Sequence, residues 1–267
     1  MELSAYLERI HFTQQPQCDL QTLTAIHHQH LLHIPYENID VQQRTPLDFD
    51  LQRIYTKLVD ARRGGWCYEM NGLLQWALEQ IGFQVTRMSG AVMRQVNGDQ
   101  TWANHLVLRV ALEGVDYLVD TGLGDGLRMP IPIAAGSVTQ QGLTYRLERL
   151  DADTWRFHNH SFSNVRSFDF RYGVAVEDEL AAMCGWLQTS EESPFRRVLV
   201  VQKFDADRIH TLVGKIYGQI TAAGKTERVL SNLDELQQIL AEKFGLQVNV
   251  ADIWPAVEAA HTRYFAD

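Results

Sequence analysis

The chain is poor in cysteine and has no long apolar run. Its three cysteines, Cys18, Cys67 and Cys184, stand far apart among 267 residues and form no Cys-x-x-Cys pair. This spacing argues against a disulfide framework and against a cysteine-based zinc site. No run of about 18 apolar residues is present, so we expect no membrane-spanning helix. The first residues carry acids and lack the apolar core of a signal peptide, so we expect a cytoplasmic protein.

Basic residues are also scarce. The sequence has 24 Lys and Arg against 33 Asp and Glu, which gives a formal net charge of −9. A basic stripe for nucleic acid is therefore not expected. Apolar residues make up 45% of the chain, as in ordinary globular proteins. No low-complexity linker divides the sequence, so its parts are predicted to pack together.

The hydrophobic period changes along the chain. Helical spacing dominates the first 80 or so residues, with Asp19 and Asp50 as predicted helix caps and Gly82 as a predicted helix end. A period of two then predicts short strands. These strands cover residues 85–92, 105–112, 115–119, 144–150, 154–158 and 164–170. Later segments mix both patterns, with helices at 179–189 and 233–244 and strands at 197–204, 210–217 and 225–230. The order predicts an α+β fold with a small barrel or sandwich.

Cys67 lies in the most informative segment. Gly64 and Gly65 precede it and a helical pattern follows, so Cys67 is predicted in the first turn of a helix. Free backbone N–H groups at a helix start favour a thiolate, and Arg63 adds to the effect. The pattern therefore indicates a nucleophile. The alternative is a small buried residue, which is the commoner role of a free cysteine.

His105 and Asp120 are predicted to meet in a hairpin. If Leu112 and Glu113 are the two turn residues, His105 lies directly opposite Asp120. If Glu113 and Gly114 form the turn, the two are one diagonal step apart on the same face. A three-residue loop would instead place them on opposite faces. A pair on one face would supply a base and its orienting carboxylate. Each residue also has a simpler explanation, a strand histidine satisfied by a neighbour and a turn aspartate.

Four segments together resemble the arylamine N-acetyltransferase family. Residues 63–71, RGGWCYEMN, look like its RGGxCxExN signature, and residues 34–40, IPYENID, resemble its IPFENLD segment. Residues 104–108, NHLVL, and 117–124, YLVDTGLG, resemble its histidine strand and its YLVDVGFG strand. The segments occur in family order.

The resemblance implies a fold and a division of the chain. It implies an N-terminal helical bundle at residues 1–83 that carries the nucleophile. A central β-barrel at 84–190 would carry the histidine and the aspartate, and an α/β lid would occupy 191–267. The core would hold a Cys-His-Asp set like that of cysteine proteases. Residues 193–195, SPF, look like the start of the family's third domain.

The resemblance also implies roles for single residues. Cys67 would be the acyl-accepting nucleophile, His105 the base and Asp120 the orienting carboxylate. The remaining roles concern supporting residues: Arg63 and Glu37 would form a structural ion pair, and Tyr36, Leu123 and Gly124 would bind substrate. The family more often has Phe at the positions of Tyr36 and Leu123.

The implied reaction is acetylation of an arylamine, hydrazine or N-hydroxyarylamine by acetyl-CoA, through an acetyl-cysteine. Acetyl-CoA would be a co-substrate, and no metal, nucleic acid or membrane would take part. The protein would be a monomer or a homodimer. Local cations must offset the charge of coenzyme A. The candidates are Arg94, Arg128, Arg166, Arg196, Arg197 and Lys203.

Three other functions remain open. A transglutaminase-like cysteine hydrolase shares the Cys-His-Asp order, and an amide synthase would use the same residues with another acyl group. A non-catalytic binding paralogue is the third. His27, His28, His30 and His33 lack acidic or thiol partners at ligand spacing, so they are predicted to pack or face solvent rather than hold a metal.

Overall fold

A computed structural model describes residues 1–265 of the chain. Its N-terminal part is mainly helical, as predicted. The helices are α1 (Leu3–Arg9), α2 (Leu20–His33), α3 (Ile39–Gln42), α4 (Leu51–Tyr55) and α5 (Cys67–Ile81), with the short strand β1 (Tyr36–Glu37) before α3. A π-helical turn, Thr56–Asp60, continues α4.

The predicted helix ends are confirmed by their capping contacts. The Asp19 carboxylate accepts a hydrogen bond from the Thr22 N–H at 2.7 Å, and Asp50 accepts one from the Arg53 N–H at 2.8 Å. These bonds satisfy donors that have no partner inside the helix. Gly82 ends α5 with a φ of 109°, a conformation that suits glycine at this position.

Eight antiparallel strands form the central, nearly closed barrel, which confirms the predicted α+β fold. Six of them match the predicted strands to within three residues, and β5 and β6 were not predicted. The strands are β2 (Gln84–Val92), β3 (His105–Leu112), β4 (Val115–Val119), β5 (Ile131–Pro132), β6 (Gly136–Gln140), β7 (Leu143–Arg149), β8 (Thr154–His158) and β9 (Ser167–Arg171). Between β2 and β3 lie α6 (Arg94–Asn97) and a 3₁₀ turn, Asp99–Thr101.

The β3–β4 hairpin takes the second of the two predicted registers. Leu112 pairs with Val115, so Glu113 and Gly114 are the turn residues. Both have positive φ, 52° and 78°, as a two-residue hairpin turn of this kind requires. His105 and Asp120 are therefore one diagonal step apart on the same face of the sheet.

The C-terminal part combines a second sheet with helices. It contains α7 (Glu177–Thr189), α8 (Pro194–Arg197), α9 (Leu233–Ile239), a π-helical turn (Leu240–Phe244) and α10 (Trp254–Tyr264), with strands β10 (Val200–Phe204), β11 (Ile209–Val213), β12 (Ile216–Thr221) and β13 (Gly224–Val229). The prediction of one strand at 210–217 was wrong. Val213 pairs with Ile216, and Gly214, with a φ of 57°, turns the chain between two strands.

The second sheet joins the N-terminal part of the chain to its C-terminal part. Its order is β1-β10-β11-β12-β13, and Tyr36 in β1 pairs with Gln202 in β10. The predicted domain boundaries at 83/84 and 190/191 stay a prediction. Within residues 1–265, no helix is long and apolar enough to cross a membrane.

Leu74 tests the packing of α5. It is fully buried in the core cluster that joins the helices to side chains of β3. Leu74→Ala leaves a cavity, so we expect the free energy of unfolding to fall by about 3 kcal/mol. Leu20→Ala in α2, where Leu20 is 41% exposed, is the control and should change it by no more than about 0.5 kcal/mol. Urea unfolding measures both, and equal losses would contradict this packing.

Candidate active site

Cys67 is the first residue of α5, at the point where the helix meets the barrel. The side chain is buried, and its Sγ lies 3.9 Å from the carbonyl oxygen of Asn104, next to His105. The unpaired N–H groups of the first helical turn place partial positive charge at the thiol. These N–H groups are therefore available to an anion held at this position.

The structure brings His105 and Asp120 to Cys67. His105 Nε2 lies 2.8 Å from Asp120 Oδ2, and both side chains are buried. The other ring nitrogen is left for the Cys67 thiol. Burial lowers the pKa of His105, but the Asp120 carboxylate and Cys67 raise it further, to about 10. The imidazole therefore stays protonated at neutral pH and favours a negative charge on sulfur.

Asn71 holds the Asp120 carboxylate in place. Its Nδ2 donates to Asp120 Oδ1 at 2.8 Å and to the Leu106 carbonyl at 2.6 Å, while its Oδ1 accepts the Thr121 N–H at 2.9 Å. The Gly122 N–H donates to the same Asp120 oxygen at 2.8 Å. Sequence analysis assigned Asn71 no role. Its position four residues after Cys67, on the same face of α5, was the available signal.

His27 also contacts this region, from α2. Its Nε2 lies 3.1 Å from the Asp120 carbonyl oxygen, and its Nδ1 lies 3.1 Å from that of Arg128. Burial lowers the pKa of His27 to about 4, so the ring is neutral at neutral pH. Its role is to join α2 to the segment that carries Asp120, a contact that the sequence pattern did not indicate. No cluster of His, Cys, Asp or Glu suited to a metal occurs in the described part of the chain.

Arg63 and Glu37 lie in a network of buried charges below Cys67. Arg63 Nη2 is 2.7 Å from Glu37 Oε1 and 2.9 Å from Asp40 Oδ1. Lys57 Nζ is 2.7 Å from Asp40 Oδ2 and 2.9 Å from Glu69 Oε1. The motif resemblance indicated the Arg63–Glu37 pair but gave no sign of Lys57, which lies in the unpredicted π-helical turn.

The three residues expected to bind substrate are all buried. Tyr36 is buried and lies near Cys67. Burial is the larger cause that raises the pKa of the Tyr36 hydroxyl, and the charge of Cys67 is the second. Leu123 is 7% exposed and belongs to the core of the barrel. A Cβ on Gly124 would lie 2.5 Å from Gln202 Oε1 and 2.8 Å from Tyr36 Cβ, so this position accepts no side chain. Their substrate-binding roles stay a prediction.

Most of the cations expected to face coenzyme A have partners within the protein. Lys203 instead lines a cleft of about 490 Å³ together with Arg208 and Lys243. The other five donate hydrogen bonds to protein groups: Arg94 to Asp99 and Asp169, Arg128 to the carbonyls of Asp205 and Arg208, Arg166 to that of Ser161, Arg196 to that of Val41, and Arg197 to that of Glu191. Contact with coenzyme A stays a prediction for all six.

The titration of His105 tests the charge state of the site. Its folded pKa of about 10 lies above the ordinary 6.5, so its stabilising contribution is complete below about pH 6.5 and is lost as the pH rises to about 10. We expect ¹⁵N NMR to show a His105 ring that loses its proton near pH 10. His27 in the same spectra should titrate near pH 4. A His105 midpoint near 6.5 would refute the charged pair.

Gly122 tests how closely α5 approaches the Asp120 segment. A Cβ at Gly122 would lie 2.7 Å from Cys67 Cα and from Asn71 Nδ2. Gly122→Ala should therefore lower the free energy of unfolding by about 2 kcal/mol and slow alkylation of Cys67. Gly173→Ala is the control, because no atom would lie within 4 Å of its new Cβ. The two variants should be compared by urea unfolding and iodoacetamide labelling; similar behaviour would contradict the close contact.

Comparison with known proteins agrees with the sequence resemblance. A family model described as N-acetyltransferase matches residues 19–253. The arylamine N-acetyltransferase of Mycolicibacterium smegmatis is 46% identical over 156 residues, which cover 56% of this chain and 57% of that protein.

Solved structures extend the similarity over the length of the chain. The arylamine N-acetyltransferase of Salmonella typhimurium superimposes with a TM-score of 0.86 at 27% identity, covering 97% of this chain and 98% of that one. The Mycobacterium marinum enzyme, solved in complex with CoA, gives a TM-score of 0.85 at 28% identity, with the same coverage of both chains. The chain therefore belongs to the arylamine N-acetyltransferase family of acyltransferases.

Proposed function

We propose that this enzyme transfers an acetyl group from acetyl-CoA to an arylamine, a hydrazine or an N-hydroxyarylamine, through an acetyl-Cys67 intermediate. The observation that carries the proposal is the buried set of Cys67, His105 and Asp120 in a member of this family, in which His105 is hydrogen-bonded to Asp120 and its pKa is raised by Asp120 and Cys67. The CoA complex of the M. marinum relative supports coenzyme A as the acyl carrier. The proposal also includes a cytoplasmic location for the enzyme.

In the first half-reaction, the Cys67 thiolate attacks the carbonyl carbon of acetyl-CoA. The C–S bond to coenzyme A then breaks, and the departing thiolate takes a proton from the His105 imidazolium. Backbone N–H groups at the start of α5 are suitable donors to the oxyanion, because they have no acceptor within the helix. The products are acetyl-Cys67 and free coenzyme A.

In the second half-reaction, the amine nitrogen attacks the acetyl-Cys67 carbonyl. His105, now neutral, accepts the proton that the nitrogen loses, and the Cys67 thiolate leaves. The amide departs and the thiolate–imidazolium pair is restored. Asp120 keeps the imidazole oriented in both steps, and Asn71 keeps Asp120 in place. An N-hydroxyarylamine would accept the acetyl group on oxygen by the same proton transfer.

Mass spectrometry after incubation with acetyl-CoA tests the covalent step. We expect one acetyl adduct, on the peptide that contains Cys67, because among the three thiols in the described part of the chain only Cys67 acts on a histidine that is paired with an acid. Exposed Cys18 is the internal control and should stay unmodified. Cys67→Ala should abolish both the adduct and the turnover of an aromatic amine.

The acceptor distinguishes the proposal from its alternatives. Adding an aromatic amine should discharge the adduct faster than water does. Equal discharge with and without amine would instead identify a hydrolase. An adduct that forms only with acyl groups other than acetyl would identify an amide synthase, and the absence of any adduct would refute covalent transfer.

A further inference from the structure

The buried charges below α5 form a continuous row that ends at the nucleophile's helix. The row runs from Glu37 through Arg63, Asp40 and Lys57 to Glu69, and its four ion-pair distances lie between 2.7 and 2.9 Å. Lys57 and Glu69 form the end of the row at α5, where Glu69 follows Cys67 by two residues. Their side chains are only 14% and 3% exposed, so solvent screens this pair weakly.

Glu69 is held at the very start of α5. Its Oε2 accepts the backbone N–H of Trp66, the residue before Cys67, at 3.2 Å. A Cβ on Gly65 would lie 2.9 Å from that oxygen, so the chain approaches the carboxylate closely. A carboxylate in this position caps the helix, but its negative charge also opposes a thiolate at Cys67. The capping carboxylate of Glu69 therefore disfavours a Cys67 thiolate unless a cation neutralises Glu69.

Lys57 is that cation. Its Nζ lies 2.9 Å from both carboxylate oxygens of Glu69 and 2.7 Å from Asp40. We propose that Lys57 is a positioning residue for the reaction, which neutralises Glu69 at the start of α5 and so allows Cys67 to ionise. The inference rests on the proposed role of Cys67 as the nucleophile and adds a residue outside the Cys-His-Asp set.

The electrostatics of the row support this role. Burial lowers the pKa of Lys57, but the carboxylates of Glu69, Glu37 and Asp40 raise it further and hold it above its usual range. Lys57 is therefore charged at any pH at which the protein is folded and active. Burial raises the pKa of Glu69, and the ammonium of Lys57 opposes that rise.

Three other titratable groups around Cys67 carry no charge that could replace the effect of Lys57 on the thiol. Tyr36 from β1, Tyr68 from α5 and Cys184 from α7 all sense the charge of Cys67, and burial raises the pKa of each, so all three stay neutral. The charged groups on the two sides of the start of α5 are the His105–Asp120 pair on the barrel side and the row from Glu37 to Glu69 on the helical side.

The test is the pH dependence of Cys67 alkylation by iodoacetamide, read by mass spectrometry of the Cys67 peptide. In Lys57→Met, an unneutralised Glu69 should move the acid-side midpoint up by about one pH unit, which slows alkylation roughly tenfold on the acid limb. Lys215→Met is the matched control. Lys215 is 15% exposed and lies 3.8 Å from Glu258, so it is as buried as Lys57 but lies outside the row.

Two further variants separate a charge effect from loss of structure. Glu69→Gln keeps an oxygen for the Trp66 N–H but removes the charge, so on its own it should lower the midpoint. In the double variant Lys57→Met with Glu69→Gln, the midpoint should return to within about 0.3 pH units of the wild type, since neither charge remains. If Lys57 had only a structural role, removing the charge of Glu69 as well would not restore the midpoint.

Three outcomes would overturn the proposal: a Lys57→Met midpoint equal to that of the wild type, a double variant as shifted as Lys57→Met, or a shift of equal size in Lys215→Met. If Lys57→Met does not fold, Glu69→Gln decides, and an unchanged midpoint refutes the proposal. Alkylation requires no acetyl-CoA. Failure here is therefore distinct from failure of the proposed acetyl transfer, which the acetyl adduct on Cys67 reports.

Discussion

The rest of the site depends on the position of the Asp120 carboxylate. This buried acid lies where α5 meets the barrel, and it is held by donors from separate parts of the chain: Asn71 of α5, His105 of β3 and the N–H of Gly122. A buried carboxylate is tolerated only when such donors replace water. Because the same donors connect helix to barrel, the bonds that satisfy the acid also align Cys67 with His105.

Cys67 therefore lies between two ion pairs. On the barrel side, His105 and Asp120 form a pair whose protonated imidazole favours the thiolate. On the helical side, Lys57 neutralises the carboxylate that caps the helix. Neither pair is evidence of large net stability, because burying charges costs solvation energy that the pairing only offsets. The effect of each pair is local, because each pair contributes to the electrostatic potential at the Cys67 thiol.

The two sheets meet beside the same cysteine. Tyr36 lies in β1, which pairs with β10 of the C-terminal sheet, and Gly124 packs against both Tyr36 and Gln202 of that pairing. The C-terminal part of the chain thus forms one wall next to Cys67.

The sequence by itself determined the local features of this protein. Helix caps at Asp19 and Asp50, the helix start at Cys67 and the strand at His105–Leu112 follow from residue preferences over a few positions, and the structure confirms each. The four motif segments were enough to identify the family. For the hairpin, the sequence left three turns open, and the two with a two-residue loop place His105 and Asp120 on one face.

Only the tertiary structure decided the contacts between distant segments. Asn71 and His27 meet Asp120 from 49 and 93 residues away, and no periodic pattern encodes such a distance. Lys57 was overlooked because a π-helical turn, not a regular α-helix, directs it towards Glu69. The strands β5 and β6 were missed for a related reason: β5 has only two residues, and packing in the barrel, rather than sequence period, gives these segments their extended form.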